Sequence, residues 1–427
     1  MKLKTSLLCM GAGALFSLSI PMNAEAHAVL TGGTDLKGYD ATIITDAQGT
    51  TILSTKKGTY ELQSNSTIYS SKDIKITLNN SQPITINGIQ AAKDLEFRGA
   101  GELDVTTTSD VAINVGNHLK AFKYSGNGKV VGTANGTGVK VHNEIQMKDG
   151  TVEGYGNNFG VYSDNDIKPY YGAVLKGTSE NGIGIYAYRD IYAWKGATVV
   201  GKGKISGARS IIAHIQAEDA GSSITGISTN INSHLSALHA DKQMLRAYSG
   251  AAVNEVYENS GLVITDNPFV INQAYKTVGR NMSNIENYVW SSNPKAVAIE
   301  NGGLVVNTSF KDGQITAVRQ NAALKKGNEV TQLKKDGRHT VTFSGASTEL
   351  FTTLLVKHWV DLEDDLGYRL YTEEEIQVEV GDLVNVNMLQ FDFTEEEMEL
   401  DSSDSQDFVA VKSKEPKVIN FYYTGEL

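Results

Sequence analysis

The chain has 427 residues, and its 49 Asp+Glu outnumber 38 Lys+Arg to give a formal net charge of −11. That balance excludes a general nucleic-acid binder, because like charge repels phosphate. The single cysteine, Cys9, lies in the N-terminal segment, which excludes a disulfide scaffold or thiolate metal site in the rest of the chain.

Residues 1–26 read as a signal peptide. Lys2 and Lys4 form a basic start, Leu7 to Ile20 an apolar stretch, and Ala24-Glu25-Ala26 a small-residue cleavage site. The mature chain is expected to begin near His27 and to be exported, with a secreted or cell-surface destination. Cys9 comes too early, and in too poor a context, for a lipoprotein anchor. No later apolar run approaches the ~20 residues of a membrane span, so no membrane insertion is expected. Residues 27–59 are expected to form an N-terminal cap on a repetitive body.

From residue 60 a short phrase recurs with its central apolar residue at Ile74, Leu95, Leu119, Ile145, Ile167, Ile191 and Ile215. These lie 21, 24, 26, 22, 24 and 24 residues apart, as their numbers show. Such a period marks one supersecondary unit copied and stacked. Within each copy the rhythm is two, as in Ile145 and Met147 alternating with Glu144 and Gln146, and Gly, Asn or Asp cut the runs. The leucine-rich repeat has a similar period, but its leucine frame and asparagine ladder are missing. Three short strands per turn predict an all-β, right-handed parallel β-helix solenoid over residues 60–345. The seven apolar residues would form one internal ladder at the ~4.8 Å inter-strand spacing. Ser291 to Gln320 are expected to supply the last coils or a cap.

Charge separates residues 346–427 from the rest. From about residue 350 there are roughly 19 acidic against 5 basic side chains, with acidic triplets at Glu373-Glu374-Glu375 and Glu395-Glu396-Glu397. Strand-like runs such as Val418-Ile419-Asn420-Phe421 lie between them without the repeat, so a separate small β-rich domain is expected.

These motifs carry two resemblances. The repeat region, with Tyr288-Val289-Trp290-Ser291-Ser292-Asn293-Pro294-Lys295-Ala296-Val297 near its end, resembles the pectate-lyase-like adhesive domains of Firmicute surface proteins. The acidic tail resembles a MucBP-type, β-grasp-type domain through Val356-Lys357-His358-Trp359-Val360-Asp361, Val380-Gly381-Asp382 and Val418-Ile419-Asn420-Phe421-Tyr422-Tyr423. The resemblance implies a bacterial adhesin-type protein that binds glycans, host glycoproteins or surface polymers without catalysis. No LPxTG-type signal follows the tail, so surface association is expected to be non-covalent.

Two outward columns could carry chemistry. The carboxylates Asp73, Asp94, Glu144, Asp166 and Asp190 each precede an inward residue and would face out. Stacked on successive coils they could hold Ca²⁺ through oxygen, with Arg189 as base, which is the alternative reading as a Ca²⁺-dependent polysaccharide (pectate-type) lyase. The plainer reading, a solvated face offset by Lys72, Lys75, Lys93 and Lys168, is preferred, so neither an enzyme nor a metal or other cofactor is expected. The second column, three residues beyond the ladder, reads Phe122, Lys148, Tyr170, Trp194, Glu218, Tyr248, with Tyr162 and Tyr186 one strand earlier. Aromatic platforms suit sugar rings and protein contacts, so Tyr162, Tyr170, Tyr186 and Trp194 are the candidate ligand-binding residues. The alternative is aromatic pairing that only stabilises the solenoid. His234 and His239 lack a third ligand at zinc-like spacing.

Overall fold

In a computed structural model the described residues are 28–30, 33–46, 48–123, 126–230, 235–243, 245–259, 263–264, 288–293, 295, 297–300, 303–306, 313–320, 331–334, 337–348, 351–361, 367–379, 382–391, 393, 398–403, 406–410 and 415–425. The expected signal peptide (residues 1–26), Val380, Gly381 and Glu395 to Glu397 lie outside them.

Nearly all regular structure is strand. The chain visits three sheets in a fixed cycle, an arrangement compatible with a parallel β-helix. Sheet I, of eight strands, runs from Thr67–Ser70 to Leu238–Ala240. Sheet II comes next in each coil, from Ile74–Asn79 to Leu245–Tyr248, and continues to Thr331–Lys334. Sheet III closes each coil, from Ile84–Ile86 to Ala252–Tyr257 and on to Arg338–Thr348. Each strand pairs in parallel with its counterpart one coil away.

The apolar ladder lies on sheet II in unbroken register: Ile74, Leu95, Leu119, Ile145, Ile167, Ile191, Ile215 and then Leu245. All are buried. Two residues on, Ile76, Phe97, Ala121, Met147, Ala193, Ala217 and Ala247 form a second buried column. Each larger aliphatic side chain contributes roughly 1.5–3 kcal/mol by leaving water.

Phe122 departs from its expected outward place. It is fully buried, its φ of 53° is left-handed, and its ring stacks on Phe97 with centroids 6.5 Å apart. The reason lies in two glycines. A Cβ at Gly150 would meet the Phe122 ring at 2.5 Å and one at Gly128 at 2.8 Å, so the ring fills space those glycines leave.

Glycine also sets the cross-section. Gly132, Gly154, Gly177, Gly201 and Gly226 stack on sheet III. They face the carbonyls of Gly138, Gly160, Gly184 and Gly207 on sheet I and of Ala237, just before its last strand. A Cβ at Gly177 would lie 2.2 Å from the Gly184 oxygen, and one at Gly201 2.0 Å from that of Gly207. Here two sheets touch backbone to backbone. The seam ends where Gly226 pairs with Glu255, which is fully buried, accepts from the Leu238 N–H (3.2 Å) and meets His339 Nε2 at 2.8 Å.

Sheet II starts, and sheet III ends, in antiparallel pairing. At the start, Ala41–Thr45, Thr51–Thr55 and Gly58–Glu61 form a meander that joins sheet II through Ala41–Thr45. At the far end, Tyr288–Asn293 and Gly313–Gln320 pair antiparallel onto Arg338–Thr348.

A new sheet begins at Phe351. Its order places Arg369–Glu379 beside Phe351–Asp361, then Lys417–Thr424, then Glu399–Ser403. The two central strands are parallel and both edges antiparallel. Leu354, Val356, Ile419, Phe421, Val386 and Phe393 form part of its own core. His358 is buried against the rings of Phe391, Phe421 and Tyr423, and burial lowers its pKa.

The seam can be tested against an ordinary glycine turn. Gly172, with φ of 82°, has open space around its Cβ position, so Gly172→Ala should cost about 1–2 kcal/mol from the left-handed backbone alone. Gly177→Ala forces two backbones apart and should cost more than about 3 kcal/mol. Urea unfolding of the two variants side by side measures the difference.

Candidate ligand-binding groove

The acidic column holds the coils together. Asp73 Oδ1 accepts the backbone N–H of Asp94 (3.1 Å), Asp94 Oδ1 that of His118 (3.2 Å), Asp166 Oδ1 that of Asp190 (3.0 Å), and Asp190 Oδ1 that of His214 (2.8 Å). Each carboxylate thus satisfies a donor at the corner of the following coil, where no strand carbonyl reaches. Beside it runs a short asparagine ladder, contrary to expectation. Asn165 donates to Asn143 Oδ1 (2.8 Å), Asn143 to Asn117 (3.0 Å) and Asn117 to Asp94 (2.6 Å). The carboxylates are therefore not simply solvated: Asp166 is buried, and it meets Lys168 at 2.7 Å and Arg189 at 3.7 Å.

The candidate aromatics fall on two faces. Tyr162 and Tyr186 belong to sheet I, where they lie parallel at 4.9 Å with Phe159 edge-on to both. Each gives one ring face to the other. Tyr162 also donates to Asp164 (2.7 Å), and burial together with that carboxylate raises its pKa.

Tyr170 and Trp194 stand on sheet II, bridged strand to strand. With Lys123, Glu144, Gln146, Lys168, Pro169 and Tyr192 they line a groove of about 310 Å³. A local feature of the sequence shapes it. Pro169 has no N–H, and pairing between Ile167–Pro169 and Ile191–Trp194 is limited to Ile167 with Ile191, resuming as the bridge at Tyr170. The ladder slackens on the floor of the groove.

Charge and aromatic groups alternate around it. Lys168 meets Glu144 (2.9 Å) and Asp166 (2.7 Å); burial opposes its charge, but the two carboxylates prevail and raise its pKa. Tyr192 donates to Glu218 (2.5 Å), and burial with that bond pushes its hydroxyl pKa up. Its ring lies 6.2 Å from that of Trp194. Beyond Tyr170 and Trp194 the chain turns through left-handed pairs, Tyr171-Gly172 and Lys195-Gly196, closed by Ala173 N–H to Tyr170 and Ala197 N–H to Trp194. The same turn at Ser249-Gly250 shows that it belongs to the fold.

Of the histidines, His234 lies outside the described residues. His239 sits between Ser236 Oγ (3.2 Å) and Asp241 Oδ1 (3.2 Å), a sequence of groups reminiscent of a hydrolase, but Ser236 is wholly buried and donates to the Leu238 carbonyl. Among the described residues no three His, Asp or Glu side chains converge as a metal site, and no helix is long and apolar enough to cross a membrane.

No family model matches the chain, and no curated protein sequence matches it either. The groove therefore rests on its own geometry. Lys123 and Gln146 were missed from sequence because the outward column was followed three residues beyond the ladder, which falls on Phe122 and Lys148 in these coils.

Asp94 offers a test of the corner role. Burial raises its pKa, but the bonds from Lys120, His118 and Asn117 outweigh burial and hold it below 3.8. A depressed folded-state pKa stabilises the fold above that value, and the contribution disappears as pH falls through the lower one. Asp94→Asn should therefore be less stable than the parent at pH 7, and the two should converge near about pH 2. Urea midpoints at both pH values measure this.

Proposed function

We propose that this chain is an exported, surface-associated or secreted adhesin-type protein whose body binds glycans without catalysis in the sheet II groove. The observation that carries the reading is the juxtaposition of Tyr170, Tyr192 and Trp194 around a polar-rimmed groove on a rigid parallel sheet. Aromatic rings give a sugar its apolar platform, while Gln146, Glu144 and the lysines offer hydrogen bonds to hydroxyls. The acidic column supports a structural role rather than a lyase site, since its aspartates are engaged by backbone N–H groups of neighbouring coils.

The body reads as a right-handed pectate-lyase-like adhesive β-helix and the tail as a MucBP-like domain. The order of the tail sheet, with two parallel central strands and a hairpin partner at one edge, is the order a β-grasp-type sheet requires. Its acidic hairpin edge, with Glu373, Glu374 and Glu375 exposed, suits a second, separate contact.

A glycan array probed with the full chain, then with Trp194→Ala and Tyr170→Ala, tests the groove. Each variant should weaken binding by roughly tenfold, the loss of about 1.4 kcal/mol. Tyr186→Ala should leave binding intact and lower stability, because its ring only supports Tyr162 and Phe159. Unchanged binding by a folded Trp194→Ala protein contradicts the assignment.

A further inference from the structure

The turns that follow the groove strands differ in charge from sheet II. Lys75 meets Asp40, Lys120 meets Asp94, and Lys168 meets both Glu144 and Asp166. Lys148 and Lys195 do not follow this pattern. Among the described residues neither lies within ion-pair distance of a carboxylate. Instead they flank Tyr171, a 45% exposed residue at the turn between Tyr170 and Gly172. The Lys148 ammonium lies 5.3 Å from the centre of the Tyr171 ring and the Lys195 ammonium 4.4 Å from it. Lys195 also donates to the Tyr171 hydroxyl (2.7 Å) and stands 4.3 Å from the Trp194 ring.

We propose that the groove selects a saccharide bearing an oxyanion, with a sugar ring on Trp194 and Tyr170 and its carboxylate or phosphate between Lys148 and Lys195. This rests on the reading of the groove as a glycan site and names the class of glycan.

Lys148 and Lys195 stand on the coils either side of the one that carries Tyr171. Among the described residues they meet only aromatic rings and, for Lys195, the Tyr171 hydroxyl, so they retain donors for an incoming anion; each ammonium has three. Lys195 lies against the ring on which a sugar would stack, so the ring and the cation address adjacent parts of one ligand. The Tyr171 hydroxyl, whose pKa is lowered chiefly by its bond from Lys195, reports the positive field at this corner. Charged groups in such a place set selectivity and salt dependence more than raw affinity. The groove interior adds little net charge of its own, because Lys168 is already matched by two carboxylates.

The experiment titrates the full chain by calorimetry with two matched pairs: a hyaluronan tetrasaccharide against its methyl ester, and maltotriose 6-phosphate against maltotriose. In low salt, at least one charged probe should bind about tenfold tighter than its neutral partner, and the advantage should fall below about threefold in ~0.5 M NaCl. Which pair shows it identifies carboxylate or phosphate as the source. Lys148→Gln combined with Lys195→Gln should abolish the advantage while leaving neutral-probe binding within about twofold. Equal affinities within both pairs, an advantage that persists in the double variant, or no binding by any probe overturns the proposal. Binding of neutral and charged probes alike that survives Trp194→Ala contradicts the groove itself, a different failure.

Discussion

Parallel register between coils is the constraint on which the other features of this molecule depend. Once Ile145 is paired with Ile167 and Ile167 with Ile191, every side chain one, two or three positions later is assigned to a face and a height. The core columns, the corner carboxylates and the groove are consequences of that one pairing. A slip by a single residue would turn the apolar ladder to solvent and bury the lysines. Several devices resist such a slip: the aspartates that accept the next coil's N–H, the asparagine ladder beside them, and the stacked tyrosines of sheet I.

The glycine seam adds a second constraint, on shape. Where sheets I and III meet backbone to backbone no side chain fits, so one side of the coil is pinched and the apolar volume is pushed toward sheet II. That volume is filled by the Ile/Leu ladder, by Met147 and, at the lower coils, by the inserted rings of Phe97 and Phe122. Sheet II is therefore the face with a thick core behind it, and its outer surface is where the groove is found. Rigid backing of this kind suits recognition, because little ordering remains to be done when a ligand arrives.

Much of this was legible in the sequence. The ladder from Ile74 to Ile215 could be read residue by residue because period-two alternation and a near-constant spacing reinforce each other. The acidic excess from about residue 350 starts close to Phe351, where a new sheet begins. Other features were opaque for identifiable reasons. Phe122 looks like an outward residue by count, yet two glycines that each precede a sheet III strand, Gly128 and Gly150, make room for it inside. The aspartates look like surface charge, and only the inter-coil geometry shows that each faces an N–H one coil away. Tyr162 and Tyr186 look equivalent to Tyr170 and Trp194 by count, but they stand on sheet I and the others on sheet II, and each of the first pair gives one ring face to the other. Pro169 is the one residue whose effect on the groove comes from its chemistry alone.

Trp194 is one of three tryptophans, with Trp290 and Trp359, so a chain carrying Trp290→Phe and Trp359→Phe reports on the groove by itself. Acrylamide quenching of that variant, with and without a saturating oligosaccharide selected on an array, tests groove occupancy directly. Bound sugar should shield the indole, lowering the quenching constant at least about twofold in a saturable way, as burial of an aromatic anchor requires. Saturable binding by calorimetry with an unchanged quenching constant would show that the ligand sits elsewhere and that the groove on sheet II is not its site.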